Sequence, residues 1–151
     1  MKALRTVLAL GFICLLIGCT SNQNTTENKQ NVNFNMVSTN SPIDQTASNQ
    51  AKESLSQRNG VTAVTAVNTE KKLILAFEIE HHKRFRLADI QKDVQKKMDN
   101  EFPNLKVDVS ADKKLVLDIE KLEEKISKND ISKKKLKKEV DRLIKLMKDK
   151  T

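Results

Sequence analysis

The residues able to do chemistry in this 151-residue chain are few. Its only cysteines are Cys14 and Cys19, both within the first twenty residues, so they cannot staple a fold that begins some forty residues later. His81 and His82 are the only histidines. Neighbours in sequence at the end of a strand point to opposite sides, and no Cys, Asp or Glu stands at a metal-site spacing from them, so they are poor joint ligands and no metal is expected. Many serines are present, but none lies in a G-x-S-x-G or in a Ser-x-x-Lys accompanied by its partner motifs. Glu78 and Glu80 share one strand face, and Glu123 and Glu124 sit in a lysine-rich helix where salt pairing accounts for them. With three glycines in the chain there is no phosphate-cradling loop. These absences predict a non-enzymatic protein without a cofactor, and the chemistry left to explain is that of one thiol, Cys19.

The position of that thiol is informative. Met1 to Gly18 reads as a charged start (Lys2, Arg5), an apolar run from Val7 to Ile17 and a small residue before Cys19, the plan of an export signal. The run is too short to cross a hydrocarbon core as a stable helix, which takes roughly 20 residues. Leu16-Ile17-Gly18-Cys19 resembles the bacterial lipobox, in which a branched apolar residue, a tolerant position and a small residue precede an obligatory cysteine. The resemblance implies cleavage between Gly18 and Cys19 and a lipid thioether on the Cys19 sulfur. Cys14 would leave with the signal, and the membrane would be the first partner, reached through the lipid on Cys19.

The elements that would carry such an anchor follow in order. Residues 19–44 are rich in Asn, Gln, Ser and Thr, with Val32, Phe34, Met36 and Ile43 in no clear period, and read as a disordered tether. Ala47, Ala51 and Leu55 recur every four residues and Asn59-Gly60 offers a stop, which predicts a short helix. "VTAVTAV" (61–67) and "KLILAFEIE" (72–80) read as a β-hairpin, with Leu73, Leu75, Phe77 and Ile79 on one face and Ile74 and Ala76 making the other partly apolar. Leu87, Ile90, Val94, Met98 and Phe102 have helical spacing and Pro103 stops the run. Leu105, Val107 and Val109 alternate as a half-buried strand.

Ser110 is the expected N-cap, with Asp112 in the first turn, of a helix carrying Leu115, Ile119, Leu122 and Ile126. "KLVLDIE" also alternates as a strand would, but the four-residue spacing continues and favours helix. The expectation is therefore an α+β class, a small two-layer domain over 45–128 ordered helix, β-hairpin, helix, strand, helix. A basic amphipathic C-terminal helix over 129–151 follows, whose Leu136, Val140, Leu143 and Met147 form a stripe that a partner or the domain must cover.

Charge is uneven. Loss of Lys2 and Arg5 leaves 26 basic and 20 acidic side chains, a net of +6, and residues 121–151 alone carry +6. On a tethered protein, Lys133, Lys134, Lys135, Lys137 and Lys138 could contact anionic lipid or a protein partner. A solvated face that only confers solubility is the plainer reading. Nucleic acid is not expected, because no aromatic platform accompanies the lysines and the export signal directs the chain out of the cytoplasm.

Taken in order, these segments resemble the YhcN/YlaJ-type sporulation lipoproteins of Gram-positive spore formers. The resemblance rests on the lipobox, the polar spacer, a helix, the valine-rich "GVTAVTAV", the apolar "LILAFEIE", the lysine-rich "IQKDVQKKM" and the proline-led "FPNLKVDVSAD", and runs to about Lys125. "HHKRFR" has no counterpart, and the tail beyond Lys128 extends past the part that can be matched. The resemblance implies a lipid-anchored protein on the extracytoplasmic face, in the spore inner membrane, affecting germination or outgrowth and bringing no catalytic residues. An exported envelope-binding module or assembly factor without a spore role is the alternative. A small hydrolase of envelope polymers would need a general acid and base, and no candidate pair is present.

Overall fold

The computed structural model describes residues 32–38 and 41–149. Asp44 starts the first helix, its Oδ1 accepting hydrogen bonds from the Thr46 hydroxyl (2.6 Å) and backbone N–H (2.8 Å). Helix α1, Thr46–Ser56, buries Ser48, Ala51, Lys52 and Leu55 and leaves Ala47 half-buried. It ends just before Asn59-Gly60, where Gly60 takes φ +89° and a Cβ would collide with the Lys83 side chain, so glycine is required for the chain to turn into the sheet.

Strands β1 (Val61–Asn68) and β2 (Lys72–Ile79) form the expected antiparallel hairpin, with Val67 opposite Ile74. A 3-10 turn, His81–Arg86, leads into helix α2, Leu87–Glu101. Strand β3, Lys106–Ser110, then pairs parallel to β2, with Leu73 opposite Val107 and Leu75 opposite Val109. A parallel neighbour needs a crossover, and α2 supplies it. The sheet order is β1-β2-β3, so β2 is central. Helices α3, Lys113–Ser127, and α4, Lys133–Asp149, complete the fold. "KLVLDIE" is thus helical.

The α+β class and element order match the expectation, but the helices cover both sheet faces, which makes three layers rather than two. Leu73, Leu75 and Phe77 pack with Ala51 and Leu55 of α1 and Val94 and Met98 of α2. Ile74 and Ala76 pack on the other side with Leu115, Ile119, Leu122 and Ile126 of α3. The second face of β2 was apolar because α3 and α4 cover it: a strand between two helical layers reads as a near-continuous apolar run. The α4 stripe is satisfied within the chain, since Leu136, Val140, Leu143 and Met147 are buried in that same core.

Two further expectations change. Ser110 is the last residue of β3, and the cap of α3 is Asp112, whose side chain accepts from Lys114 N (2.7 Å) and Leu115 N (3.3 Å). Within the expected tether, Asn33 pairs with β1, its N donating to Thr62 O (2.9 Å) and its O accepting from Val64 N (3.0 Å), and Val37 bonds Asn49 of α1 through both its N–H (3.0 Å) and its carbonyl (2.8 Å). Val37 and Ile43 are buried. The apolar residues here showed no period because they serve two cores, Val32 and Phe34 packing against one and Val37 and Ile43 belonging to the other.

Candidate functional surface

A buried ion pair is the most unusual chemistry in the described residues. Lys52 Nζ lies 2.7 Å from Glu123 Oε1, with side-chain exposures of 0% and 5%, and also donates to the Asn35 carbonyl. Glu123 Oε1 accepts from Ala66 N as well (3.1 Å). Burial raises the Glu123 carboxyl above its ordinary range, although the Lys52 ammonium and the Ala66 N–H favour its charged form. A carboxyl shifted by burial marks an active site when a cleft reaches it. Two surface concavities, one along α2 beside Gln91 and Gln95 and one between α3 and α4 beside Asp118 and Arg142, contain neither Lys52 nor Glu123.

The geometry of the pair explains it structurally. Along the outer edge of β1, alternate N–H groups are each captured: Val64 by Asn33 O, Ala66 by Glu123, and Asn68 by Gln45 Oε1 (3.1 Å). The outer edge of β3 is closed in the same way, Gln95 bonding Val107 O (3.0 Å) and Val109 N (3.0 Å) while Gln91 Nε2 donates to Val109 O (3.1 Å). A sheet whose edges are occupied does not recruit a partner by strand addition.

The side-chain surface is cationic in two places. Lys133, Lys134, Lys135, Lys137 and Lys138 are exposed on the first turns of α4. No acidic residue stands in that first turn, so the lysines face the positive end of the helix dipole, an arrangement that opposes helix stability. Lys72–Asp141 (2.6 Å) and Arg142–Glu139 (3.0 Å) occupy the middle of the helix and leave the lysine cluster aside. The second place is the His81–Arg86 turn, which carries His81, His82, Arg84 and Arg86 exposed, with Phe85 84% exposed among them.

His82 Nε2 stands 3.3 Å from Glu80, which also pairs with Lys83 (3.2 Å). Among the described residues no group of His, Cys, Asp and Glu could hold a metal ion, and no helix is long and apolar enough to cross a membrane. Glu124 pairs with Lys128 at 2.6 Å, as the helix spacing suggests, and that contact lowers the carboxyl pKa and raises the ammonium pKa. Glu123 does not follow suit, its partner being Lys52 across the fold. Sequence reasoning missed this pair and Phe85. The available signal was Lys52 standing beside Ala51 and Leu55 on an apolar helix face, and Glu123 beside Leu122 on another.

Gly18 and Cys19 lie outside the described residues. Nothing among curated proteins or solved structures matches the chain. A family model for the sporulation lipoprotein YhcN/YlaJ matches residues 18–148, a span that starts at Gly18, takes in the "HHKRFR" turn and includes nearly all of α4, where the sequence resemblance stopped near Lys125. The reach of the match through α4 agrees with that helix being a structural part of the domain, and this chain belongs to the YhcN/YlaJ family of sporulation lipoproteins.

Proposed function

We propose that the mature protein begins at Cys19, is held by a lipid on that residue at the extracytoplasmic face of the spore inner membrane, and affects germination or outgrowth by contact rather than catalysis. The observation that carries this reading is the conjunction of membership in a sporulation lipoprotein family with the Leu16-Ile17-Gly18-Cys19 motif, the family match opening on Gly18 itself. The closed sheet edges and the solvent-facing lysines of α4 support a contact made by side chains, with an anionic protein or lipid as the partner. Lysines massed at a helix N-terminus work against the helix, which favours a use for them beyond solubility.

The test is metabolic labelling with a fatty acid in sporulating cells, followed by membrane fractionation. Wild-type protein should carry label and sediment with membranes, and Cys19→Ala should lose the label. Equal labelling of the two proteins would overturn the anchor, and production confined to vegetative cells would overturn the spore role.

A further inference from the structure

Phe85 contributes almost nothing to the fold, because at 84% exposure it is the most solvent-exposed large apolar side chain among the described residues. The turn that presents it is nonetheless fixed. Lys83 Nζ bonds Asn59 Oδ1 (2.8 Å) and pairs with Glu80, and its side chain lies directly against Gly60. Arg84 and Arg86 flank Phe85 and are exposed, and neither forms an ion pair with a carboxylate of the described residues. An aromatic ring held out on a pinned turn between two free guanidinium groups has the chemistry of an interfacial membrane contact. The ring enters the boundary between headgroups and acyl chains while the cations meet anionic headgroups.

The topology places this turn where a membrane would be. It follows the C-terminal end of β2, and Asn33, where the described chain begins to pair with the sheet, bonds at Thr62 and Val64 near the start of β1. Val61 is opposite Ile79, so the tether enters the domain at the same end of the sheet as the turn. Residues 19–31 span at most about 45 Å even when fully extended. The opposite end of the sheet carries the β1–β2 loop, and α4 starts there, since Ser41 Oγ bonds Asn129 Oδ1 just before that helix while Asn68 Nδ2 bonds the nearby Asp44 carbonyl. Eight residues of β2 separate the two ends, roughly 25 Å at the rise of a strand.

We infer that the His81–Arg86 turn is a second membrane contact, in which Phe85 inserts into an anionic bilayer and Arg84 and Arg86 bind its headgroups. This rests on the anchored reading for its orientation. The turn faces the bilayer, and the lysines at the start of α4 face away from it, toward a protein.

The chain has no Trp, so Phe85→Trp introduces a single emission probe. Acylated protein carrying it is reconstituted in phosphatidylcholine vesicles with and without phosphatidylglycerol, using acyl chains brominated near the headgroup. With phosphatidylglycerol the emission should shift to the blue and lose most of its intensity to bromine. Adding Arg84→Gln and Arg86→Gln, or raising the salt, should restore it. Glu70→Trp, at the far end of the sheet, should stay unquenched. Equal emission from Phe85→Trp with and without bromine in anionic vesicles would overturn the contact and leave Phe85 to a protein partner. Quenching at Glu70→Trp as strong as at Phe85→Trp would overturn the orientation. Sedimentation and its dependence on Cys19 report the anchor separately: if the chain carries no acyl group, quenching of the unacylated protein on added vesicles still decides for the turn.

Discussion

Lys52 and Lys134 are the same residue type used in opposite ways. Lys52 is wholly buried, bonded to Glu123 and the Asn35 carbonyl, and it ties α1, the segment before α1 and α3 together at the edge of β1. Lys134, like Lys133, Lys135, Lys137 and Lys138, is exposed on α4. A buried charge contributes to folding only through its partner, because desolvation makes it costly alone. An exposed charge is nearly free to keep and nearly free to remove, so the fold itself sets little constraint on it.

Removing one half of the buried pair should have the largest effect on stability. Lys52→Met should cost about 3–5 kcal/mol in urea unfolding, because Glu123 is left buried without its countercharge. Lys52→Met combined with Glu123→Gln keeps an acceptor for Ala66 N and should recover most of that loss, since a buried ion pair replaced as a whole is often close to neutral. The pH dependence follows from the raised Glu123 pKa. Folded protein holds this proton above the ordinary value of 4.5, so the stability linked to the group is complete below that value and declines as pH rises through the folded pKa. Wild type should therefore lose stability relative to the double variant as pH is raised from the acid side, and a constant difference between them would show that folding leaves the Glu123 pKa unchanged.

A smaller effect marks the boundary between the two regimes. Asp112 lies near the surface, yet its carboxylate receives two backbone N–H groups at the start of α3, so geometry gives it a role that exposure alone would deny. Asp112→Ala should cost about 1 kcal/mol and Asp112→Asn much less, measured by the same unfolding curves. A loss below the scatter would mean that water replaces the cap.

The same distinction explains how much of the protein could be read in advance. Periodicity located the α-helices and the strands because it records which side of an element is dry. It undercounted the layers. Ile74 and Ala76 showed that the second face of β2 was apolar, but not that α3 and α4 would fold back onto it. Lys52 and Glu123 were illegible for a different reason: charged residues count as solvent-facing in any pattern, and only the three-dimensional approach of helices from different parts of the chain pairs them. Phe85 was passed over because "HHKRFR" has no periodicity to say which side of the turn is dry. The lysines of α4 were legible as a cluster, while the direction they face depended on where the sheet turns.

Truncating the chain at Lys133 cannot isolate those lysines, because Leu136, Val140, Leu143 and Met147 belong to the core and would leave with them. Replacing Lys133, Lys134, Lys135, Lys137 and Lys138 together by glutamine keeps the stripe and removes only charge. Stability should change by no more than about 0.5 kcal/mol, and in the direction of a gain, since five cations near a helix N-terminus repel one another and the helix dipole. Binding to anionic vesicles should stay within about twofold of wild type if these residues face away from the bilayer, whereas germination supported by the variant should be impaired if they meet a protein there. A loss of vesicle binding as large as that caused by Arg84→Gln and Arg86→Gln would reverse the assignment of the two cationic ends, and unchanged binding with unchanged germination would return the α4 lysines to the role of a solvated face.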